Sequence, residues 1–200
     1  MSLRGLLPAL VLTGALAACA GLRGPMPGEA AKPILSPARA AISDYLLTGR
    51  IAATHGQQRY AVNFTWQHSA VRDEIFLTTP LGQGIAELTR DSAGARLTTA
   101  ERREFRAPDW HELAVQVFGL ALPLSALPRW LLANVPAQAL RVSYDRFGRP
   151  QQMLVDDWQV TYLEYASDAV DALPALVELK REGVEAIEVR FKLDEWELPQ

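Results

Sequence analysis

Cysteine is nearly missing from this chain, which has one in 200 residues. That rules out an internal disulfide and a zinc site built on cysteines, so the residue needs an explanation of its own. Positive charge is not in surplus either. With 20 Lys+Arg against 23 Asp+Glu and a net charge of −3, the chain lacks the clustered cations that counterion release requires, and no nucleic-acid partner is expected. Histidine is scarce and scattered over positions 55, 68 and 111, and His111-Glu112 is followed by Val115 where a metalloprotease helix needs its second His. No nucleophile elbow, Walker loop or EF-hand loop occurs, and Gly82-x-Gly84 runs on to Glu87 instead of a third glycine. Neighbouring carboxylates at Asp156 and Asp157 would point to opposite faces of a strand, so they read as a turn before Trp158. Arg102, Arg103 and Arg106 read as a solvated strand edge guarded against aggregation in preference to a binding patch. No enzyme, metal or cofactor is therefore expected. The longest apolar run, residues 6–18, is too short to cross a bilayer, which takes about 20 helical residues.

The chain is 49% hydrophobic and 22% charged, and a domain of this size buries roughly 70% of its unfolded surface without needing staples. Arg4, the short apolar run and the small residues Ala17 and Ala18 have the layout of a secretory signal. The only cysteine, Cys19, follows directly, and Leu16-Ala17-Ala18-Cys19 resembles a bacterial lipobox. The resemblance implies cleavage before Cys19, diacylglycerol on its thiol and an acyl group on the new amino terminus. One acyl chain binds a membrane marginally and two hold it stably. Ala20 in place of Asp implies, by resemblance to enterobacterial lipoproteins, an outer-membrane destination. Residues 1–18 are thus read as signal peptide and 19–38, rich in Gly and Pro, as lipidated Cys and tether. Residues 39–200 are the folded domain.

Within that domain, residues 59–67 alternate strictly, with Tyr60, Val62, Phe64 and Trp66 on one face. Ile187, Val189, Phe191 and Leu193 repeat the pattern near the end. Short runs at 44–54, 74–79, 85–90, 95–100, 101–106, 151–155, 159–164 and 176–180, bounded by Gly, Pro or Asp, predict an antiparallel sandwich or barrel. The exception is 108–133, where helical spacing after Pro108-Asp109 ends at Gly119 and a second short helix fits 125–133. Two helices with apolar faces must bury them, and a curved sheet offers the place.

Large apolar side chains abound, with five Trp together with Phe64, Phe76, Phe118, Tyr60 and Tyr162. Composition favours ordinary core for them; the alternative is that some line a cavity for an apolar ligand. Thr79-Pro80-Leu81-Gly82 suits a type I turn with Leu81 at its tip. Such a leucine either folds back or serves as an apolar probe for a membrane or partner.

Spread over about 150 residues, these elements resemble the LolB family of outer-membrane lipoproteins. The matching elements are Leu47-Thr48-Gly49-Arg50-Ile51, Phe64-x-Trp66, Pro80-Leu81-Gly82 with Glu87-Leu88, and Gly119-x-x-Leu122-Pro123 leading to Trp130-Leu131. Trp158-x-Val160-x-Tyr162, Leu173-Pro174 and the closing segment 187–196 complete the set. Asn134 and Asp157 depart from glycines common in the family, at turn positions where Asn and Asp tolerate φ > 0. The resemblance implies a mainly β fold, an incompletely closed antiparallel barrel of about eleven strands with short helices as a lid over an apolar cavity. It further implies acceptance of lipoproteins from the periplasmic carrier LolA, with Tyr60, Phe64, Trp66, Phe76, Phe118, Trp130, Trp158 and Tyr162 holding acyl chains. Pro80, Leu81 and Gly82 would form the membrane-insertion loop and Cys19 the lipid anchor. The expected partners are LolA, lipoprotein acyl chains and outer-membrane phospholipid, and the expected state is a monomer facing the periplasm. An anchored carrier of phospholipid or another apolar ligand would use the same cavity without LolA.

Overall fold

The computed structural model describes residues 33–34, 36–183 and 186–199. The signal peptide, Cys19 and most of the tether lie outside these residues. After a short helix α1 (Pro37–Ala40), six strands follow in order: β1 (Tyr45–His55), β2 (Gln58–His68), β3 (Asp73–Thr78), β4 (Gly84–Asp91), β5 (Gly94–Thr99) and β6 (Glu104–Ala107). Helices α2 (Trp110–Phe118) and α3 (Leu127–Leu131) interrupt them. Five more strands close the chain: β7 (Leu140–Tyr144), β8 (Pro150–Val155), β9 (Trp158–Tyr165), β10 (Pro174–Arg181) and β11 (Ile187–Glu197). All pair antiparallel in one sheet of eleven, ordered β6-β5-β4-β3-β2-β1-β11-β10-β9-β8-β7. The first strand meets the last in the middle. The sheet stays open, and its free edges are β6 and β7, the two strands that the helical segment connects.

Alternation decides which side is buried. Leu47, Phe64, Trp66, Ile75, Leu88, Leu97, Met153, Val155, Val160, Val177, Leu179, Phe191 and Leu193 share the covered face and are buried. The opposite face of β10 and β11 carries Glu178, Lys180, Glu188 and Arg190, paired with one another at 2.6–3.5 Å. As expected for a guarded edge, β6 is only four residues long, and Arg106 bonds Glu104 on it. Strand β7 is absent from the sequence reading. Its ladder is interrupted twice, and Arg141 has φ 51°, so no clean alternation marks it.

Helix α2 begins as the sequence predicts: the Asp109 side chain accepts from the Glu112 N–H at 2.9 Å, and Gly119 closes the helix at φ 73°. The two turn positions singled out are displaced by one residue. Ala133 and Asp156 hold the positive φ, at 55° and 53°, beside Asn134 and Asp157.

One polar group lies inside this apolar face. Asp73 is 1% exposed. Its carboxylate accepts from Trp66 Nε1 at 3.0 Å, Arg90 Nε at 2.6 Å and Trp110 Nε1 at 3.3 Å, with His68 Nδ1 2.5 Å away. Burial alone would raise its pKa, but the bonds from His68, Arg90 and Trp66 outweigh that and hold the carboxyl below its ordinary range. The four partners come from β2, β4 and α2, so one carboxylate ties three elements to β3.

At the same end of the sheet, two buried arginines hold the β9–β10 loop, and one of them, Arg39, belongs to the chain leading in from the tether. Arg39 Nη1 donates to Val170 O at 2.8 Å and Ala172 O at 3.3 Å. Arg149 Nη1 donates to Ser167 O at 2.6 Å and Ala169 O at 3.1 Å, and its Nε to Asp145 at 2.8 Å. Ile34 N–H reaches Gly148 O at 2.9 Å. The docked chain thus starts within the segment read as tether.

Two outcomes follow. A Cβ at Gly49 would stand 2.2 Å from the Lys192 carbonyl oxygen and 2.9 Å from the Phe64 ring, so Gly49→Ala is expected to cost about 2–3 kcal/mol in urea unfolding. Asp73→Asn is expected to cost about 3 kcal/mol at neutral pH by leaving Arg90 without its buried partner. A depressed carboxyl pKa stabilises above the unfolded value and loses that contribution as pH falls through the folded one, so the gap to wild type should narrow below about pH 4.

Candidate functional site

The covered face of the sheet and the segment 108–139 laid across it are the natural place for an apolar ligand. Helix α2 lies against β5 and β6 and buries Trp110, Leu113 and Ala114, while α3 buries Leu127, Trp130 and Leu131. Both faces follow from the spacing of those residues in sequence. Three hydrogen bonds from different strands hold the insert: Trp110 Nε1 on Asp73 of β3, Arg181 Nη1 of β10 on Ala121 O at 3.0 Å, and the Tyr162 hydroxyl of β9 on Trp130 O at 2.8 Å. Register places them along the length of the strands. Asp73 pairs with His68 near one end, Tyr162 with Val177 in the middle, and Arg181 with Ile187 at the other end. Burial pushes the Tyr162 phenol well above its usual pKa, which keeps it a donor at any physiological pH.

The eight aromatic residues assigned to the acyl cavity do not stay together. Phe64, Trp66, Trp130, Trp158 and Tyr162 are buried, each at most 4% exposed, and converge between sheet and insert. Phe76 is a correction. It stands opposite Thr65 and Glu87, and since Ile75 and Leu77 take the covered side, alternation sends Phe76 to the outer face. It is 46% exposed there. Tyr60 shares the covered side with Phe64 but lies four pairs beyond it toward the β1–β2 turn and is 55% exposed. Phe118, the last residue of α2, is 44% exposed.

The covered face itself is packed: Leu47, Trp110, Leu113, Leu131, Met153, Val155, Val160, Val177 and Leu179 are all under 2% exposed. Room for a ligand there has to come from moving the insert. Two surface grooves lie elsewhere. One, of about 470 Å³, is bordered by Arg50, Asn63, Thr65, Pro80 and Asp194; the other, of about 390 Å³, by Tyr45, His68, Glu197 and Leu198.

The loop between β3 and β4 forms the expected turn. Gly82 N–H bonds Thr79 O at 2.9 Å, Thr79 N–H bonds Gln83 O at 2.8 Å, and Gly82 takes φ 83°. Asn63 Nδ2 donates to Thr79 O at 3.3 Å and holds the loop against β2. Leu81 does not fold back. It is 91% exposed, the highest among the large apolar residues described. Its neighbours are fixed by hydrogen bonds while its side chain meets only solvent.

Sequence reasoning missed Asp73 and the bonds that hold the insert. The local signal at Asp73 was weak, because an Asp just after Ser69-Ala70-Val71-Arg72 reads as part of a turn. Its partners lie 5 to 37 residues away. No helix among the described residues is long and apolar enough to cross a membrane, and no group of metal-ligating side chains occurs among them.

Comparison with known proteins fits this architecture. A family model described as outer membrane lipoprotein LolB matches residues 43–196. An outer-membrane lipoprotein LolB of Nitrosomonas europaea is 34% identical over 194 residues, 94% of this chain and 88% of the relative. The protein of the same name from an Azoarcus species is 33% identical over 189 residues, 92% of this chain and 96% of the relative. Among solved structures, a LolA superfamily protein from Nitrosomonas europaea superposes with a TM-score of 0.50, covering 80% of this chain and 88% of its own at 8% identity, which shows a shared fold. With the family match spanning the whole sheet and its helical insert, this chain belongs to the LolB family of outer-membrane lipoproteins.

Proposed function

We propose that this protein accepts lipoproteins from a periplasmic carrier of the LolA type, shelters their acyl chains between the sheet and its helical insert, and passes them into the outer membrane. The observation that carries this reading is the covered face: an apolar surface on an open sheet, capped by two short helices that three side-chain hydrogen bonds attach. Cys19, carrying diacylglycerol and an amino-terminal acyl group, would anchor the chain, with its domain in the periplasm and acting as a monomer. The relatives named above are themselves called outer-membrane lipoproteins, which supports this placement.

The energetics explain why such a task needs no catalytic group. An acyl chain of about 16 carbons exposed to water costs on the order of 12 kcal/mol, at about 0.8 kcal/mol per CH₂. Three chains on one cargo make unaided crossing of the periplasm negligible. Passing them from one apolar site to another never exposes that surface, so each step needs only a modest difference in affinity and no nucleotide. As the insert lifts, its apolar contacts with the sheet are replaced by contacts with the chains. Phe64, Trp66, Trp130, Trp158 and Tyr162 are the aromatics placed to make them; Tyr60 and Phe118 stand at the rim.

The exposed tip of the β3–β4 loop supplies the delivery step. Burying a leucine in an apolar phase contributes about 1.5–3 kcal/mol, enough to bias where the open domain releases its cargo.

The deciding experiment is transfer of a radiolabelled lipoprotein from purified LolA to the Cys19→Ala protein. Movement onto the acceptor is expected; retention on LolA, with the acceptor folded, would overturn the reading in favour of a phospholipid carrier. In the anchored protein, Leu81→Glu should accept cargo normally, while insertion into outer-membrane vesicles falls about ten- to hundredfold. Equal loss of both steps would mean that the leucine is structural.

A further inference from the structure

The hydrogen bond between Tyr162 and Trp130 is lopsided. Both residues are buried, at 4% and 3% exposed. The Trp130 carbonyl accepts from the Tyr162 hydroxyl at 2.8 Å and also from the Ala133 N–H at 2.9 Å, within its own helical turn. When the insert moves off the sheet, the carbonyl carries the Ala133 bond with it. The hydroxyl stays on β9, buried on the strand next to Val177, with the Tyr165 ring 5.9 Å from its own and the Arg39 guanidinium, a donor, as the nearby cation. A buried hydroxyl without an acceptor is unfavourable, because it loses its bond with no water to replace it. Hydrocarbon cannot satisfy it. A ligand that brings a carbonyl oxygen can.

Arg181 adds a second donor of the same kind. It gives Nη1 to Ala121 O at 3.0 Å, with Asp157 3.8 Å away and the Trp158 ring 5.1 Å from its guanidinium carbon. It can exchange an insert carbonyl for another acceptor while its other neighbours remain. The two groups that meet backbone carbonyls of the insert in the closed form are therefore both donors. What replaces the insert has to match them.

We infer that Tyr162 is a specificity-determining residue for acyl esters: on opening, its hydroxyl exchanges the Trp130 carbonyl for a carbonyl oxygen of the ligand's ester linkage, so the site selects esterified chains over plain hydrocarbon of equal length. This rests on the reading that acyl chains enter under the insert. It assigns Tyr162 a polar role where the sequence marked only an aromatic wall, and it gives the site a requirement that apolar area alone does not supply.

The test compares two glycerol lipids of equal chain length, 1-palmitoylglycerol, an ester, and 1-O-hexadecylglycerol, its ether, in competition with a fluorescent fatty-acid probe on the full mature chain carrying Cys19→Ala. Both must lift the same insert, so the ratio of their affinities cancels the cost of opening. Wild type should prefer the ester about five- to tenfold. Tyr162→Phe should bring the ratio to about one, even if loosening the insert tightens both lipids. Tyr165→Phe is the control: on the same strand, it loses an equivalent bond, hydroxyl to Pro150 O at 2.6 Å, that does not involve the insert, and its ratio should match wild type. A wild-type ratio near one, a preference that survives Tyr162→Phe, or an equal fall in Tyr165→Phe would each overturn the assignment. Failure of both lipids to displace the probe from folded wild-type protein would overturn the cavity reading itself, and the assignment with it.

Discussion

The buried carboxylate of Asp73 ties β2, β3, β4 and the start of the helical insert together. Asp73 stands at the end of a mostly apolar face, opposite His68 and Arg90, and an ion there is tolerated only because donors from β2, β4 and α2 surround it. The arrangement works in both directions. The donors keep the carboxyl ionised, and the ion fixes the two indoles, so Trp110 is positioned before α2 runs across the sheet. Tyr45 continues the cluster by packing against His68 at 4.8 Å and Trp196 at 5.1 Å, which ties the strands at the middle of the sheet to the start of the insert. The helical segment therefore leaves β6 from a fixed point.

The opposite half of the sheet uses arginine for the same purpose. Arg39 and Arg149 bond four carbonyls of the β9–β10 loop, and Arg149 also stacks over the Phe147 and Tyr165 rings at 4.7 and 4.1 Å. Guanidinium suits this work because several donors sit on one rigid plane. Arg39 thus fastens the loop to the incoming chain, while Arg149 fastens it to Asp145 at the β7–β8 turn.

Much of this was legible from sequence for a simple reason. A sheet buried on one side writes itself as alternation, and β2 and β11 keep that alternation plainly in the sequence, whereas β10 buries Val177, Glu178 and Leu179 in a row. The insert was equally plain, since Asp109, the helical spacing of Trp110, Leu113, Ala114 and Val117, and Gly119 are all local signals. Phe76 is aromatic but has the wrong parity for the core: Ile75 and Leu77 take the covered side and leave it on the outer face. Strand β7 left little trace, because Arg141 breaks its backbone geometry. Asp73 and the Tyr162–Trp130 bond were out of reach, since each is a relation between distant positions and neither end carries a mark of the other. Leu81 lay between these cases. Its turn was readable, but whether a turn leucine stands out or folds back depends on what surrounds the turn.

The insert also joins the two free edges of the sheet. In a closed barrel, every change in girth breaks a rung of hydrogen bonds along some strand pair. Here the seam between β6 and β7 has no rungs to lose, and the covalent strap across it, residues 108–139, is much longer than the spacing of paired strands. A change of girth at that seam would therefore leave the ten paired ladders in register. On the proposed function, that freedom would let one domain take cargo of different bulk as a belt fits different waists, with the slack taken up at the buckle.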